Sequence, residues 1–408
     1  MKAEIVTIGD ELCRGEITDT NAQNLAAALW LEGVTCAWIT SCRDDAADIR
    51  EAVTTAARRA GAVIVSGGLG PTSDDLTVDV MSALCATEPE IEPEAHRRMA
   101  DRYAAMGRTI GPHNERQVRI PGTARALTNP VGAAPGFEVT VEGTPVFCLP
   151  GVPAELLAIF SAHVSPRIAA IGGEALNRRR EHSYRVFGLG ESDVAAALAT
   201  MDHDGLAVHY RVAFPEIVVK VVTRGENAAA RLAAADATIR ERLGQRVVKG
   251  GVPEATVASV MDAGHTLATA ESCTGGLAGQ LITRVAGASA IYRGGIIAYH
   301  NDAKRALLGV SEDTLRTHGA VSAECAGEMA HGAKTRLAAD WGVAITGIAG
   351  PSGGTADKPV GTVFIAAAGP QGEIPARRLL WPGPRESVRR FAAYCAIDLV
   401  RRALEKDQ

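Results

Sequence analysis

Ala268-Thr269-Ala270-Glu271-Ser272-Cys273-Thr274-Gly275-Gly276 is the stretch around which the rest of the chain is organised. It joins an apolar run at 266–270, typical of a strand, to a helical pattern of apolar residues at 277–285. Between them lies a polar turn with three nucleophile-type side chains and two glycines, which adopt backbone conformations closed to other residues. Unpaired amides at the start of the helix stabilise an anion or a developing oxyanion. The stretch therefore predicts a strand, a reactive turn and a helix.

Composition sets the class of protein. The chain has 408 residues, 47% of them apolar and 22% charged, as expected for a globular protein of two or three domains. Its net charge of −5 argues against a nucleic-acid partner, because phosphate neutralisation needs a basic face. The eight cysteines form no CxxC pair or zinc-type cluster, so we expect reduced thiols. With no continuous apolar run of about 20 residues, we expect a cytoplasmic protein without a membrane span.

The first 170 residues alternate strand and helix patterns, which predicts an α/β domain with a mostly parallel sheet and helices on both faces. A strand at 62–66 ends in Gly67-Gly68-Leu69-Gly70-Pro71-Thr72-Ser73-Asp74-Asp75. The glycines allow the backbone to approach phosphate oxygens, and Asp74 or Asp75 can hold a Mg²⁺-like cation that bridges them. The alternative is a glycine turn in which Asp74 caps a helix beginning at Leu76.

A second acidic turn, Asp10-Glu11, also follows a strand of this domain. In an open parallel sheet the strand ends meet at one edge, so both acidic turns can share one ligand site. The alternative is that Asp10 and Glu11 are solvated turn residues.

The remainder of the chain predicts two further domains. Residues 178–250 fit a small α+β domain with a hairpin at 206–223, and no residue in it suggests catalysis. We interpret it as a spacer or a dimerisation module, which favours a homodimer. Residues 253–406 again alternate strands and helices and form a last α/β domain around the reactive turn.

The reactive turn needs a base. His300 and Lys304 both follow a predicted strand at 291–299. A lysine acts as a base only where desolvation or a neighbouring cation lowers its pKa, and Ser-Lys pairs of this kind exist. Residue chemistry leaves the nucleophile open: Cys273 is intrinsically the most reactive of the three side chains, although it also suits a small buried hydrophobe.

Taken together, these motifs resemble the competence/damage-inducible CinA family over nearly the whole chain. In the first domain the matching segments are Gly9-Asp10-Glu11-Leu12, Thr20-Asn21, Gly67 to Thr72 with Asp74 to Thr77, Asn129-Pro130 with Ala134 to Phe137, and Leu149 to Pro153. The resemblance implies a three-layer, molybdopterin-binding-like domain with metal-dependent ADP-ribose pyrophosphatase activity, which yields AMP and ribose 5-phosphate. It implies a divalent, Mg²⁺-like ion as cofactor. The implied nucleotide-binding residues are Gly67, Gly68, Gly70, Thr72 and Asn21, and the implied metal ligands are Asp74, Asp75 and Asp10.

The last domain matches the same family through Ala270 to Gly276, Tyr299 with Asn301 and Ala303-Lys304, His318 to Ser322, Gly347 to Pro351, Pro359 to Val363, and Gly383 with Arg385 and Val388 to Arg390. Domains with this set are nicotinamide mononucleotide amidohydrolases, which release nicotinic acid mononucleotide and ammonia without a cofactor. The resemblance implies that Ser272 is the nucleophile and Lys304 its partner.

Further roles in the last domain follow from this resemblance. We expect Tyr299 to orient Lys304, the amides of Gly275 and Gly276 to hold the oxyanion, and Arg385 or Arg389 to bind the nucleotide phosphate. The other expected substrate-binding residues are Glu271, Cys273, Thr274, Gly347 and Gly350.

Two other classes of function compete with this bifunctional enzyme. The first domain can be a nucleotide- or pterin-binding module without turnover. The family's name alone suggests an interaction protein in DNA uptake or recombination.

Overall fold

A computed structural model describes residues 1–173 and 176–406 and divides into two compact units. The first comprises residues 1–181 with 223–228, and the second comprises residues 182–222 with those from 229 onward. Both units combine helices with sheets that are parallel in part, which confirms the predicted α/β class.

The first unit contains a six-stranded sheet and a two-stranded one. Its strands are β1 (Lys2–Ile8), β2 (Thr35–Cys42), β3 (Val63–Ser66), β4 (Pro89–Ile91), β5 (Arg119–Pro121), β6 (Arg125–Leu127), β7 (Gly136–Val141) and β8 (Thr144–Leu149). Its helices are α1 (Asp10–Cys13), α2 (Thr20–Leu31), α3 (Ala46–Arg59), α4 (Thr77–Leu84), α5 (Pro93–Ala105), α6 (Pro112–Arg116), α7 (Pro153–Ile159) and α8 (Ser165–Gly172). A π-helical segment, Phe160–Val164, joins α7 to α8.

The main sheet of the first unit has the order β2-β1-β3-β8-β7-β6. Its first four strands run parallel, β7 is antiparallel to β8, and β6 is antiparallel to β7. Alternate residues of β1 face opposite sides, because side chains alternate along a strand. Val6 belongs to the core that α3 and α4 cover, and Ile5 to the core that α2 and α7 cover. The three layers and the mostly parallel sheet are as predicted.

One helical stretch, 153–172, is long and apolar enough to cross a membrane by length and composition. We did not expect such a stretch, because Glu155 and Arg167 interrupt its apolar residues. Leu156 and Ile159 on one side of it are fully buried in the core of the first unit. This side of the helical stretch therefore packs into the core of the first unit.

The second unit contains two sheets. The smaller one has the order β10-β11-β9-β12 and the larger one the order β14-β13-β15-β16-β17. The strands are β9 (Arg179–Phe187), β10 (Leu206–Ala213), β11 (Glu216–Arg224), β12 (Val247–Val248), β13 (Leu267–Glu271), β14 (Tyr292–Ile297), β15 (Trp341–Gly347), β16 (Thr362–Gly369) and β17 (Gly372–Leu380). The helices are α9 (Glu191–Leu198), α10 (Ala228–Leu243), α11 (Val252–Asp262), α12 (Leu277–Thr283), α13 (Asn301–Leu308), α14 (Glu312–Thr317), α15 (Ala323–Arg336) and α16 (Arg385–Lys406).

The central strand β13 positions the reactive turn. It pairs in parallel with β14 and β15, and all five of its residues are buried. A parallel strand covered on both faces requires a continuous run of apolar or small residues, which Leu267 to Ala270 provide. The carboxyl ends of three parallel strands therefore meet at the edge where Ser272 follows β13.

Candidate active site

Ser272 and Lys304 form a buried pair at this edge. Lys304 lies in the first turn of α13, and its Nζ is 3.0 Å from Ser272 Oγ. Only 1% of Lys304 and 7% of Ser272 is exposed. A distance of 3.0 Å is that of a normal hydrogen bond, so the two groups are placed for direct proton transfer.

Two backbone carbonyls hold the amine of Lys304. Its Nζ lies 2.9 Å from the oxygen of Ala298 and 3.2 Å from that of Tyr299. A neutral amine has two N–H groups for these carbonyls, which leaves its lone pair for the hydroxyl of Ser272. Burial lowers the pKa of Lys304 from its ordinary value, because the charged form loses its hydration. The surroundings of Lys304 therefore suit a general base.

The structure also separates the three nucleophile-type side chains of the turn. Burial raises the pKa of Cys273 to about 11, so its thiol stays protonated at neutral pH. The hydroxyl of Thr274 is buried and has no hydrogen-bond partner in the described part of the chain. Ser272 alone of the three is hydrogen-bonded to Lys304. Geometry thus favours Ser272 over Cys273, a ranking that residue chemistry left open.

Glu271 has a different role from the one expected. Its carboxylate is 2% exposed and accepts hydrogen bonds from the amides of Gly276, Ala278 and Gly279 at 3.0, 3.0 and 2.9 Å. These are donors of the first turn of α12, which a carboxylate satisfies and stabilises. Glu271, expected to bind substrate, therefore caps the helix with its carboxylate.

This cap also overturns the expected oxyanion site. The amide of Gly276 is occupied by Glu271, and the amide of Gly275 donates to the carbonyl of Ser272 at 3.2 Å. Among the residues that the structure describes, the backbone N–H groups of Cys273 and Thr274 have no hydrogen-bond acceptor. The donors left in the turn are thus nearer the nucleophile than expected.

Replacing Glu271 by glutamine should lower the free energy of unfolding by about 2–4 kcal/mol, because a buried amide cannot accept from all three N–H groups as the carboxylate does. Denaturant unfolding of the whole protein measures this change. Glu324→Gln, at an exposed position of α15, is the matched control and should unfold like the wild type. Equal stability of the two variants would contradict the capping role.

The predicted arginines lie on the same edge but differ in their partners. Arg389 donates to the carbonyl of Thr274 at 2.7 Å and forms an ion pair with Glu386. Its guanidinium therefore stabilises the reactive turn and is less available to bind a phosphate. Arg385 is exposed and donates to the carbonyl of Gly350 at 2.7 Å and to the hydroxyl of Tyr299 at 3.2 Å. Arg385 is the better placed of the two for an anionic ligand.

Tyr299 and the glycines after β15 complete this edge. The side chain of Tyr299 is 63% exposed and contacts Arg385, while only its carbonyl holds Lys304. Its predicted orienting role therefore belongs to the backbone. Gly347 lies against β16, where an added Cβ would come within 2.8 Å of the carbonyl oxygen of Thr362. Gly350 has φ of +85°, which favours glycine, and offers its carbonyl to Arg385.

The first unit has its own cavity, of about 200 Å³, beyond the ends of β1 and β3. Asn21 and Gly67, two of the expected nucleotide-binding residues, line it together with Glu11 of the first acidic turn and with Asp19 and Ser66, which sequence reasoning did not assign to a binding site. Asn21 donates to Ser66 and to the carbonyl of Gly151, but its own Oδ1 is buried without a partner, as is Oδ2 of Asp19. Both unpartnered oxygens are buried in residues that line the cavity.

The glycine loop before α4 is stabilised from within. Asp75 accepts from the amides of Gly70 and Thr72 at 2.7 and 2.8 Å and from the hydroxyl of Thr72. Gly68 has φ of +67°, and an added Cβ would lie 2.2 Å from Thr77 Oγ1. Asp74 is exposed and does not cap α4, whose N-cap, Leu76, has no side-chain bond. The alternative role for Asp74 as a cap is therefore wrong.

The predicted metal ligands do not form a metal cage. Across residues 1–173 and 176–406, no three His, Cys, Asp or Glu side chains are grouped to hold an ion. Burial, together with the carboxylates of Glu11, Asp10 and Asp75, raises the pKa of Asp44. However, Asp10 pairs with Arg14 and Asp75 serves the loop. Of the acidic side chains, Glu11 and Asp19 line the cavity instead.

Comparison with known proteins covers both units. The family model described as "CinA C-terminal domain" matches residues 251–404, and that described as "Probable molybdopterin binding domain" matches residues 4–170. A "CinA-like protein" of Anaeromyxobacter sp. (strain Fw109-5) is 40% identical over 99% of each chain. A "Putative competence-damage inducible protein" of Symbiobacterium thermophilum is 41% identical over 99% of each. The solved structure of the competence/damage inducible protein CihA from Agrobacterium tumefaciens is 40% identical over 39% of this chain and 98% of its own, with a TM-score of 0.37.

Proposed function

Since this chain belongs to the CinA family over almost its whole length, we propose that its second unit is an amidohydrolase acting on nicotinamide mononucleotide. The observation that carries the proposal is the buried hydrogen bond between Lys304 Nζ and Ser272 Oγ. A serine activated by a neutral, desolvated lysine is an established nucleophile for carboxamides. The products are nicotinic acid mononucleotide and ammonia.

The first half-reaction transfers the acyl group to the enzyme. Lys304 Nζ takes the proton of Ser272 as Oγ attacks the carboxamide carbon, which gives a tetrahedral oxyanion. The N–H groups of Cys273 and Thr274, the two residues after the nucleophile, stabilise this oxyanion in place of the occupied amides of Gly275 and Gly276. When the carbon–nitrogen bond breaks, Lys304 returns the proton to the leaving nitrogen, and ammonia departs.

The second half-reaction releases the product. A water molecule loses a proton to Lys304 and attacks the acyl carbon, and Ser272 recovers its proton as the ester bond breaks. Both half-reactions use the same proton acceptor, so no external cofactor is needed.

Recognition of the nucleotide phosphate is assigned to Arg385. Its guanidinium is exposed beside the reactive turn, and its two bonds, to Gly350 and Tyr299, leave further N–H groups for phosphate oxygens. Comparing hydrolysis of nicotinamide mononucleotide with that of nicotinamide riboside, which lacks the phosphate, tests this proposal. Equal kcat/KM for the two substrates would contradict it.

For the first unit we propose a nucleotide site that takes ADP-ribose and splits its diphosphate to AMP and ribose 5-phosphate. The support for this proposal is the cavity of about 200 Å³ beyond the ends of β1 and β3, which Asn21, Ser66 and Gly67 line. Glu11 and Asp19, which line the cavity, would offer carboxylate oxygens to a Mg²⁺-like ion that binds together with substrate phosphates. Such an ion would neutralise charge on the diphosphate.

Asn21→Ala should weaken binding of ADP-ribose about tenfold, because the cavity loses an amide side chain that lines it and bonds to Ser66 and to the carbonyl of Gly151. Calorimetric titration with and without Mg²⁺ measures this affinity. Gln23→Ala, at an exposed position of the same helix, is the control and should bind normally. Binding without AMP release in the wild type would make the first unit a binding module instead.

A further inference from the structure

The hairpin between β10 and β11 contacts the chain segment that leads into α16. The ring of Phe214, at the tip of this hairpin, lies 5.1 Å from that of Trp381, and Trp381 lies 4.5 Å from Phe391. The rings are tilted by 50° and 32°, within the range of attractive aromatic pairs. The small sheet thus contributes a side chain to the packing of the larger one.

The hairpin tip is itself fixed by a buried charge. Glu216, 1% exposed, accepts from the amide of Val252 at 2.8 Å and from Arg185 at 2.7 Å. Val252 begins α11, so the start of β11 is attached to the body of the larger sheet. Phe214, which contacts Trp381, lies two residues before this attachment point.

Trp381 in turn connects to the candidate active site. The backbone N–H of Trp381 donates to the carbonyl of Gly361 at 3.1 Å, and the backbone N–H of Gly361 donates to the carbonyl of Ile348 at 2.8 Å. Ile348 lies in the turn after β15. The backbone at Gly383 lies along the indole edge, where an added Cβ would be 3.0 Å from Nε1. Arg385 follows two residues later and holds the carbonyl of Gly350.

We propose that Phe214 is a positioning residue for the amidase site: through Trp381 it holds residues 381–385 so that Arg385 is aligned with the substrate phosphate. This inference rests on the proposed function of the second unit. The side chain of Arg385 is exposed and bonds to Gly350 and Tyr299, while the packing of Trp381 behind its segment holds its backbone. A loosened segment must be ordered when substrate binds, which weakens binding and leaves the chemistry at Ser272 unchanged.

Phe214→Ala should raise KM for nicotinamide mononucleotide about tenfold and leave kcat within about twofold. Phe214→Tyr, which keeps the ring, should restore KM. Phe214→Leu keeps apolar volume without the ring, and it should show the same rise in KM. It replaces the alanine variant in the test if that variant folds poorly. Val212→Ala, exposed on the same hairpin, is the control and should match the wild type.

A double-mutant cycle with Arg385→Ala distinguishes positioning from general destabilisation. Phe214→Ala should add nothing to the KM of Arg385→Ala, because both act through the same guanidinium. A full additional rise, or a wild-type KM in Phe214→Ala, would overturn the inference.

Amide hydrogen exchange separates this inference from the proposed function. Phe214→Ala should speed exchange of the Trp381 amide, which is bonded to Gly361. If the wild type releases no ammonia but the Trp381 amide exchanges faster in Phe214→Ala than in the wild type, the proposed function fails and the positioning contact is retained. Unchanged exchange would refute the positioning role whatever the activity.

Discussion

Ser272→Ala should lower kcat for ammonia release from nicotinamide mononucleotide on the order of 10³-fold or more, because the acyl-enzyme can no longer form. The loss should appear in kcat rather than KM, since the hydroxyl acts in the bond-making step. Folding should be retained, because Ser272 follows the buried strand and its side chain bonds only to Lys304 in the part of the chain that the structure describes.

Cys273→Ala is the matched control for this prediction. Cys273 is the neighbouring residue and is also buried, but burial raises its pKa and it makes no hydrogen bond with Lys304. The Cys273→Ala variant should keep most of the activity. Full activity in Ser272→Ala with loss in Cys273→Ala would transfer the role to the thiol.

Lys304→Arg should lower kcat roughly 10²–10⁴-fold, because the guanidinium stays protonated and cannot act as a base. Lys334→Arg is the control: Lys334 lies on α15 of the same unit and bonds to the carbonyl of Gly369 rather than to a site residue. Comparable losses in the two variants would indicate a structural effect.

The pH dependence of kcat provides a second measurement on Lys304. Burial lowers its pKa from 10.5, and the neutral amine is the active form. The value of kcat should therefore rise as the pH increases through the lowered pKa of Lys304. At pH values below this pKa, kcat should be low because the amine is protonated. This limb should be absent from the residual activity of Lys304→Arg. A limb that persists in that variant would belong to another group.

Sequence patterns were most informative where they are local and periodic. Apolar spacing predicts helices over residues 228–243 and from residue 385 onward, and α10 (Ala228–Leu243) and the start of α16 at Arg385 agree with it. The sequence also predicts an edge strand from residue 377, whereas β17 begins at Gly372. Pro375 argued against a strand in the first half of β17, although an edge strand tolerates proline.

The direction of polar side chains was not predictable from the sequence. Glu271 and Ser272 are neighbours, yet one caps α12 and the other contacts Lys304, 32 residues away. Asp75 likewise bonds to its own loop, and Asp19, which no motif emphasised, lines the cavity. Such outcomes depend on how strand ends and helix starts are arranged in space, which spacing along the chain does not determine.

The most direct test of the central claim is product analysis of nicotinamide mononucleotide incubated with the purified full-length protein. The account predicts ammonia and nicotinic acid mononucleotide in equal amounts, without an added cofactor, and neither product from Ser272→Ala. Release of free nicotinamide, which requires cleavage of the glycosidic bond, or equal ammonia from the wild type and Ser272→Ala would contradict it.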